Sequence, residues 1–466
     1  MRISRIEVKG LFDQFEYDIP LHLADRVTFI YGENGCGKTT VLKMISDFFA
    51  LRFGQLSRTP FGQLAVLMDD NSRFVVTRKT TDAPRRGDDG GRRALDIQYF
   101  KLGDEVLDVK ADGIPAGSRE RALLVEELTQ ENHRFLRTGF QQWIDRETHE
   151  SIDAAEVLER YDGQVPALWE VTRKGISEAK GLPELKELLH SVHCKLIQTQ
   201  RLMADAPTGQ HTLERGPDDR ANREFAVDTD AAELKSSIQA ALAAYASASQ
   251  DLDRSFPARL LAASTGHAPA KKTLVGQLAQ LEGQRIRLMR NGLLDESGVV
   301  EPSKLLGKGM TDQQRLVLSI YIEDTNQKLK VLQDMAERLD LFASSINARF
   351  KGKEIRISKD RGFSVVNEKQ EVLSPSQLSS GEQHEVVLFY ELLFKVQPDT
   401  LVMIDEPELS LHVDWQNRFM GDISKVAHMQ GLDVLAATHS PDIIGDRWDL
   451  AVGLVEEDRA KIPDRG

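Results

Sequence analysis

The sequence lacks the features that would place it in a membrane or in an oxidising compartment. No apolar run approaches the roughly 18 residues that a membrane-spanning helix needs, so a permease is not expected. The N-terminal MRISRIEVKG lacks the basic segment and apolar stretch of a secretory signal, and the chain contains only two cysteines. We therefore predict a cytoplasmic protein with no membrane partner.

The chain also has fewer positively charged than negatively charged residues. The chain has 60 Lys and Arg residues against 73 Asp and Glu residues, which gives a formal net charge of −13. Wide, sequence-independent wrapping of nucleic acid relies on many cationic contacts to phosphate, so the charge balance does not indicate DNA as a partner. A local basic patch, a basic protein partner or a merely soluble surface are each compatible with it.

Strand and helix signals alternate at both ends of the chain. Apolar residues alternate over 3–8 and 15–19, and a compact apolar run at 27–31 leads into a glycine. Residues 39–50 carry an apolar face at helical spacing, and 61–101 have the pattern of a β-meander. Strands resume after Lys353. These patterns predict an α/β fold.

The middle of the chain has a different character. The pattern is mainly helical from about 117 to 192, and a stretch rich in Pro, Gly and Asp at 203–228 indicates a linker. Thr311 and Gln314 predict a capping box at the start of a helix that reaches Phe350, about 60 Å for forty residues. This helix fits a short helical arm or an ordinary helical subdomain.

The clearest chemical motif is GENGCGKT at 32–39, which satisfies G-x-x-x-x-G-K-[ST] between a predicted strand and a predicted helix. The glycines let the backbone N–H groups point at phosphate oxygens, Lys38 neutralises the β- and γ-phosphates, and Thr39 supplies a hydroxyl for Mg²⁺. The residues predicted to bind the nucleotide here are Gly32, Asn34, Gly35, Cys36, Gly37, Lys38, Thr39 and Thr40.

A second motif, LVMIDEPELSLH at 401–412, ends a predicted buried strand with two adjacent carboxylates. Asp405 is predicted to hold Mg²⁺, and Glu406 is predicted to orient and deprotonate the attacking water as general base. Alone, a strand followed by Asp-Glu is a weak signal. Together with the phosphate loop it predicts ATP hydrolysis.

The third motif is LSSGEQ at 378–383, which precedes an apolar helix. With this motif the sequence resembles the ABC class of ATPases, in the branch of RecF, Rad50 and OLD-like proteins. The resemblance implies that Ser379 and the backbone of Gly381 contact ATP bound to another subunit. Without the resemblance, Ser379 is a plausible helix N-cap, which is itself an anion site.

The resemblance extends to three further segments. Residues 407–412 lie where the family has its D-loop, at the dimer seam, and His439 in LAATHS matches the histidine that senses γ-phosphate. In LIQTQRL (196–202), Gln200 is preferred over Gln198 as the glutamine that contacts Mg²⁺.

The resemblance covers 1–100 and 351–445 and implies a particular architecture. The fold expected is α/β, an ABC-type P-loop NTPase head with a mixed central sheet and an antiparallel β subdomain, plus a helical insertion forming a short coiled-coil-like arm. The domains expected are an N-terminal ATPase lobe (1–105), a mostly helical insertion (106–190), a glutamine-lid segment (191–203), a linker and helical arm (204–350), and a C-terminal ATPase lobe (351–466).

The segments GLFDQFEYDI, LIQTQRL and PELSLH make the chain look like the stand-alone ATPase subunits of bacterial anti-phage systems such as Septu and PARIS. The resemblance implies an enzyme that uses ATP and Mg²⁺, assembles into homodimers or larger homo-oligomers, and senses phage infection. The chain ends soon after His439, which leaves no room for a Toprim nuclease, so a toxic effector is expected to be a separate chain.

Two other functions remain open at this stage. One is a DNA-repair clamp of the RecF or Rad50 kind, which the negative charge and the short arm disfavour. The other is a scaffold that binds ATP and barely hydrolyses it, which the presence of Glu406 disfavours.

Overall fold

The chain forms two structural units, each built from segments that are separated in the sequence by segments of the other. The computed structural model describes residues 1–80, 93–101, 104–112, 135–139, 142–145, 151–153, 181–197, 226–263, 268–295, 310–410 and 413–454. The first unit comprises Met1–Gln198, Gln397–Pro407 and Ile423–Gly466. The second comprises Thr199–Val396 and Glu408–Asp422.

An antiparallel sheet of six strands forms one layer of the first unit, in the order β2-β1-β4-β5-β6-β7. Period-two alternation turns Ile6, Val8 and Tyr17 into the core. The strands are β1 (Ile3–Leu11), β2 (Phe15–Pro20), β4 (Gln63–Met68), β5 (Arg73–Thr80), β6 (Arg93–Lys101) and β7 (Asp104–Asp112).

A second sheet of the first unit is parallel in all its described pairs, in the order β11-β15-β16-β3-β17. Its strands are β3 (Val27–Tyr31), β11 (His193–Ile197), β15 (Thr400–Asp405), β16 (Asp433–Thr438) and β17 (Ala451–Gly453). β16 is buried along its whole length, and β15 is buried in all but its last residue, as expected for parallel strands covered on both faces.

Helix α1 (Lys38–Phe49) packs between these two sheets. Val41, Leu42, Ile45 and Phe48 are fully buried in a core that contains residues of both sheets. The predicted α/β fold is confirmed, with a parallel sheet, antiparallel sheets and helical segments. The antiparallel pairing lies outside the sheet that carries the phosphate loop.

The remaining described elements of the first unit are short. It contains α2 (Phe53–Arg58), α3 (Leu182–His190), α9 (Pro441–Ile444), and an antiparallel sheet of β8 (Phe135–Gly139), β9 (Gln142–Asp145) and β10 (Ser151–Asp153). These three strands and α3 lie within 117–192, for which a mainly helical pattern was predicted; most of that segment lies outside the described residues. Segments of three to five residues are too short for their periodicity to separate strand from helix.

Three long helices dominate the second unit: α4 (Ala226–Ala263), α5 (Lys271–Arg290) and α6 (Asp312–Asn347). The predicted capping box of Thr311 and Gln314 is confirmed at the start of α6, which at 36 residues is about 54 Å long. Both α4 and α5 pack on α6. Of the predicted linker, residues 226–228 lie in α4, and 203–225 lie outside the described residues.

The second unit also contains the elements around LSSGEQ. β12 (Lys353–Ser358), β13 (Gly362–Asn367) and β14 (Val372–Leu373) form an antiparallel sheet, followed by α7 (Ser380–Tyr390) and a π-helical turn (Glu391–Lys395). Helix α8 spans Val413–Gln430, of which Val413–Asp422 belongs to the second unit and Ile423–Gln430 to the first. Among the helices of the described residues, none is both long and apolar enough to cross a lipid bilayer.

A buried cluster of ionisable side chains connects the end of α6 with α7 and α8. Arg349, just beyond α6, forms ion pairs with Glu385 of α7 and with Asp422 of α8, the latter at 2.7 Å. The side chains of Arg349 and Glu385 are each 1% exposed. Burial raises the pKa of Glu385 to about 8, because it outweighs the attraction of Arg349.

This raised pKa predicts a specific pH dependence of stability. Folded Glu385 binds a proton more tightly than the unfolded chain does, so its contribution is greatest at low pH and is lost as the pH rises toward about 8. Glu385→Gln abolishes this loss. We expect the unfolding midpoint of Glu385→Gln, measured relative to that of the parent, to rise between about pH 5 and about pH 8.

Glu354→Gln is the matched control, because Glu354 is a half-exposed carboxylate paired with Arg356. A difference between parent and Glu385→Gln that stays constant across this pH range would contradict the prediction.

Candidate nucleotide-binding site

The sequence motifs of the first unit meet at one edge of the parallel sheet. β3, β16 and β15 are neighbours in parallel register, so their carboxyl ends lie side by side. Gly32 directly follows β3, Glu406 follows β15 and His439 follows β16. In open α/β sheets, ligands bind outside the carboxyl ends of parallel strands. The fold therefore brings these three motifs to the edge where a ligand is expected.

Glycine is required in the phosphate loop by both backbone conformation and space. Gly35 and Gly37 each have φ of 89°, which L side chains rarely adopt. A Cβ atom on Gly37 would lie 2.9 Å from Leu11 Cδ2, and one on Gly32 would lie 2.9 Å from the carbonyl oxygen of Leu454. The loop can thus form its tight turn only with these residues.

The loop leads into an anion-binding helix end. Gly37 is the N-cap of α1 and supplies no side-chain cap, so the N–H groups of the first turn can be satisfied by a bound phosphate. Lys38 Nζ donates to the carbonyl oxygens of Gly32 and Glu33, at 2.7 and 2.9 Å. The ammonium group is therefore held against the loop. Of the remaining predicted loop residues, Asn34 is exposed, and Cys36 and Thr40 are half-buried.

Thr39 and Asp405 come from opposite ends of the sequence and are in direct contact. Thr39 Oγ1 donates a hydrogen bond to Asp405 Oδ1 at 3.0 Å. Mg²⁺ prefers hard oxygen ligands, so this hydroxyl and carboxylate fit the ion that the phosphate loop implies. These two side chains would hold it.

Glu406 adopts an unusual backbone conformation at this edge. Its φ is 44°, in the left-handed region that costs a residue with a side chain roughly 1–2 kcal/mol. The Glu406 N–H donates to the carbonyl oxygen of Ala437 at 2.9 Å, which extends the pairing of β15 with β16 by one bond. The conformation is thus fixed by the sheet, and the half-buried side chain leaves the strand at its end.

Of the predicted site residues His439 and Gln200, the structure describes the first but not the second. His439 is exposed, and the Ser440 N–H donates to Thr438 Oγ1 at 3.0 Å, which turns the chain just beyond β16. Gln200 lies outside the described residues. β11 runs parallel to β15, with Ile197 opposite Ile404, so the strand before Gln200 ends at the same edge of the sheet. Residues 411–412 of the predicted D-loop also lie outside the described part.

Two residues that support the loop were not identified from sequence. The Tyr17 hydroxyl donates to the carbonyl oxygen of Cys36 at 2.5 Å, and the Leu454 N–H donates to that of Tyr31 at 2.7 Å. The strand pattern predicted that Tyr17 faces inward, but did not predict the partner of its hydroxyl. The position of Leu454 carries no sequence signal.

The LSSGEQ residues belong to the second unit. Ser379 is the N-cap of α7 and forms a capping box with Glu382, which confirms the helix-cap interpretation. Ser379 is exposed, and Gly381 lies in the first turn of the helix.

Removal of the Tyr17 hydroxyl tests its role in shaping the loop. One hydrogen bond contributes about 1 kcal/mol net, so we expect Tyr17→Phe to weaken ATP binding about five-fold. The measurement is an equilibrium titration with a fluorescent ATP analogue. Tyr321→Phe, which removes an exposed hydroxyl from α6, is the control and should bind as the parent does. Equal affinities of Tyr17→Phe and the parent would refute this role.

Comparisons with known proteins give one family and several distant structures. Residues 199–445 match the family described as "AAA domain, putative AbiEii toxin, Type IV TA system". No curated protein matches the chain. Similar solved structures include the SMC head domain from Thermotoga maritima (13% identity, 97% of this chain and 94% of that chain, TM-score 0.31). Another is the Smc head domain with an extended coiled coil bound to the C-terminal domain of ScpA, derived from Pyrococcus furiosus. The match has 12% identity, covers 98% of this chain and 94% of that chain, and has a TM-score of 0.34.

The structural similarities are too weak to transfer an activity to this chain. The family match is more informative, because it covers more than half of the chain and includes LSSGEQ, the Asp405–Glu406 pair and His439. The phosphate loop precedes the matched region. The chain belongs to the family of AAA domains described as putative AbiEii toxins of type IV toxin–antitoxin systems, and it carries the P-loop of an ATPase.

Proposed function

We propose that this protein hydrolyses ATP at a composite site between two copies of the chain, and that the cycle controls a separate toxic effector in an anti-phage defence system. The contact of Thr39 with Asp405 at 3.0 Å, directly beside Glu406, carries the enzymatic part of this proposal. It joins the phosphate loop to the acidic strand end at one edge of the sheet.

The proposed roles follow from the position of each group. Lys38 and the N–H groups of the loop bind the β- and γ-phosphates, and Thr39 and Asp405 hold Mg²⁺. When bound, Mg²⁺ neutralises the negative charge of the phosphates. Glu406 orients the attacking water and accepts its proton, and His439 hydrogen-bonds the γ-phosphate. Gln200 is proposed as a further ligand for Mg²⁺.

The second half of the composite site is assigned to α7 of the other copy. Ser379 is exposed at the N-terminus of α7 and Gly381 lies in the first turn, where N–H groups without a partner inside the helix and the helix dipole favour an anion. One ATP would bridge two copies of the chain, and its hydrolysis would release them. Such closing and opening can drive a partner protein.

The defence role rests on less direct support. The family description names a toxin of a toxin–antitoxin system, in which one component restrains a harmful one. The long helices α4, α5 and α6 belong to the second unit, whereas the phosphate loop and the Asp405–Glu406 pair belong to the first, and we propose these helices as the part that contacts the effector. We propose a nuclease or another toxin, encoded as a separate chain, as that effector.

One observation favours a DNA-repair clamp as the second candidate. Helix α5 carries five Lys and Arg residues and a single Glu, within a chain whose net charge is −13. A basic helix can contact phosphate groups even when the whole chain is acidic. The alternative function is therefore an ATP-dependent clamp on DNA.

Two substitutions separate ATP binding from hydrolysis. Lys38→Ala removes the phosphate-binding cation, and we expect no detectable ATP binding. Glu406→Gln keeps the site but removes the base, so we expect ATP binding with hydrolysis slowed by about 10² to 10⁴ and accumulation of a closed dimer. Hydrolysis is measured as phosphate release, and dimers by light scattering.

Glu16→Gln is the matched control for the Glu406 substitution, because Glu16 is exposed on β2. Its hydrolysis rate should equal that of the parent. If Glu406→Gln also hydrolysed ATP at the parent rate, the assignment of the base would be wrong.

The partner is tested with the same variant as bait. Glu406→Gln is recovered from its native host with nuclease treatment, and bound proteins are identified by mass spectrometry, with Lys38→Ala as the control bait. We expect a stoichiometric nuclease or toxin whose activity changes when the purified ATPase and ATP are added. Recovery of repair factors, or of a complex that survives only without nuclease treatment, would instead support the DNA clamp.

A further inference from the structure

The N-terminus of α7 already holds a negatively charged group of its own chain. Glu382 Oε2 accepts hydrogen bonds from the Ser379 N–H and from the Ser379 hydroxyl, both at 2.8 Å. The carboxylate thus lies where the dipole of an eleven-residue helix favours an anion. It therefore occupies the Ser379 donors, which the proposed function assigns, together with the first turn of the helix, to the γ-phosphate of ATP bound to another copy.

A lysine from the neighbouring sheet holds this carboxylate from another direction. Lys353 Nζ, on β12, lies 2.9 Å from Glu382 Oε2 and 3.1 Å from Oε1. The side chain of Glu382 is 13% exposed and that of Lys353 is 29% exposed, so water screens the pair only partly. Burial alone would raise the pKa of Glu382, but hydrogen bonds from Lys353 and Ser379 lower it below its ordinary value. The carboxyl group is therefore ionised at neutral pH.

An arriving phosphate would face two obstacles at this helix end. A serine hydroxyl has one proton to donate, so Ser379 cannot donate it to Glu382 and to a phosphate at the same time. The Glu382 carboxylate would also repel the phosphate across a short distance. Both obstacles are reduced if a cation keeps the carboxylate in place and offsets its charge.

We propose that Lys353 is a positioning residue of the composite site, which retains Glu382 while Ser379 exchanges the carboxylate for the γ-phosphate. The lysine contacts both oxygens of the carboxylate, so Glu382 keeps a charged partner when the Ser379 hydroxyl leaves. This inference rests on the proposed function, in which Ser379 contacts ATP bound to a second copy.

Removal of the Lys353 charge tests this role. We expect Lys353→Met to bind ATP within about two-fold of the parent, because the phosphate loop is intact, but to dimerise with ATP at least ten-fold more weakly. Lys353→Arg keeps the charge and should restore dimerisation. Nucleotide affinity is measured by fluorescence titration at low protein concentration, and dimerisation by analytical ultracentrifugation with ATP.

A double substitution separates this role from a structural one. In Lys353→Met combined with Glu382→Gln, no carboxylate charge needs to be offset, so we expect dimerisation to return to within about three-fold of Glu382→Gln alone. A structural role of Lys353 would instead leave the double variant as defective as the single one and lower its unfolding midpoint. Lys359→Met, which breaks an exposed ion pair with Asp295 beside the same sheet, should behave as the parent does.

The outcomes also distinguish this inference from the proposed function. If Ser379→Ala impairs ATP-dependent dimerisation and Lys353→Met does not, only the role of Lys353 is overturned. If the parent fails to dimerise with ATP, or Ser379→Ala dimerises as well as the parent, the composite site is refuted and the role of Lys353 with it. A defect of Lys353→Met that Glu382→Gln does not relieve also overturns the inference.

Discussion

The parallel pairing of β3, β16 and β15 is the constraint on which the candidate site depends. These strands lie far apart in the sequence, yet their register aligns Tyr31 with Thr438 and Ala437 with Asp405. Because β15 and β16 are buried on both faces, a one-residue slip would place every side chain of the strand in the packing of the opposite face, which close packing resists. The hydrogen bond between Thr39 and Asp405 is a consequence of that alignment. The left-handed conformation of Glu406 is held by the same pairing, through its bond to Ala437.

Sequence reasoning succeeded where local chemistry decides the structure. The phosphate loop, the capping box at Thr311, the helix N-cap at Ser379, and the apolar strands before Glu406 and His439 each follow from short patterns whose physical cause lies within a few residues. It failed where partners are distant. The hydrogen bond from Tyr17 to the loop and the one from the Leu454 N–H to Tyr31 depend on the tertiary fold, so no local pattern predicts them. The short strands between 135 and 153 were missed because such segments carry too few residues to define a period.

Among the described residues of the second unit, a group of buried ionisable side chains lies beside α7. Desolvation is costly, and a buried ion pair often contributes little net stability. Arg349 nevertheless joins Glu385 of α7 to Asp422 of α8, and its guanidinium carbon lies 5.0 Å from the centre of the Phe389 ring. Apolar side chains of similar volume would fill this space without a preferred partner. Arg349 and its polar partners instead favour one arrangement of α7, the helix that presents Ser379, over others of similar packing.

The capping box of Ser379 and Glu382 adds a free-energy cost to the proposed association of two copies around ATP. A hydrogen bond to a charged group contributes about 1.5–3 kcal/mol, and this one must be given up before the Ser379 hydroxyl can reach a phosphate. A nucleotide that ends at the β-phosphate offers no group to replace Glu382. Dimerisation around such a nucleotide would therefore lose the hydrogen bond between Ser379 and Glu382 without compensation. ATP supplies a terminal phosphate with more than one negative charge, which can replace the carboxylate at the helix end. Under the proposed function, an internal carboxylate at this position would favour the triphosphate, because Glu382 holds the Ser379 donors until a terminal phosphate replaces it.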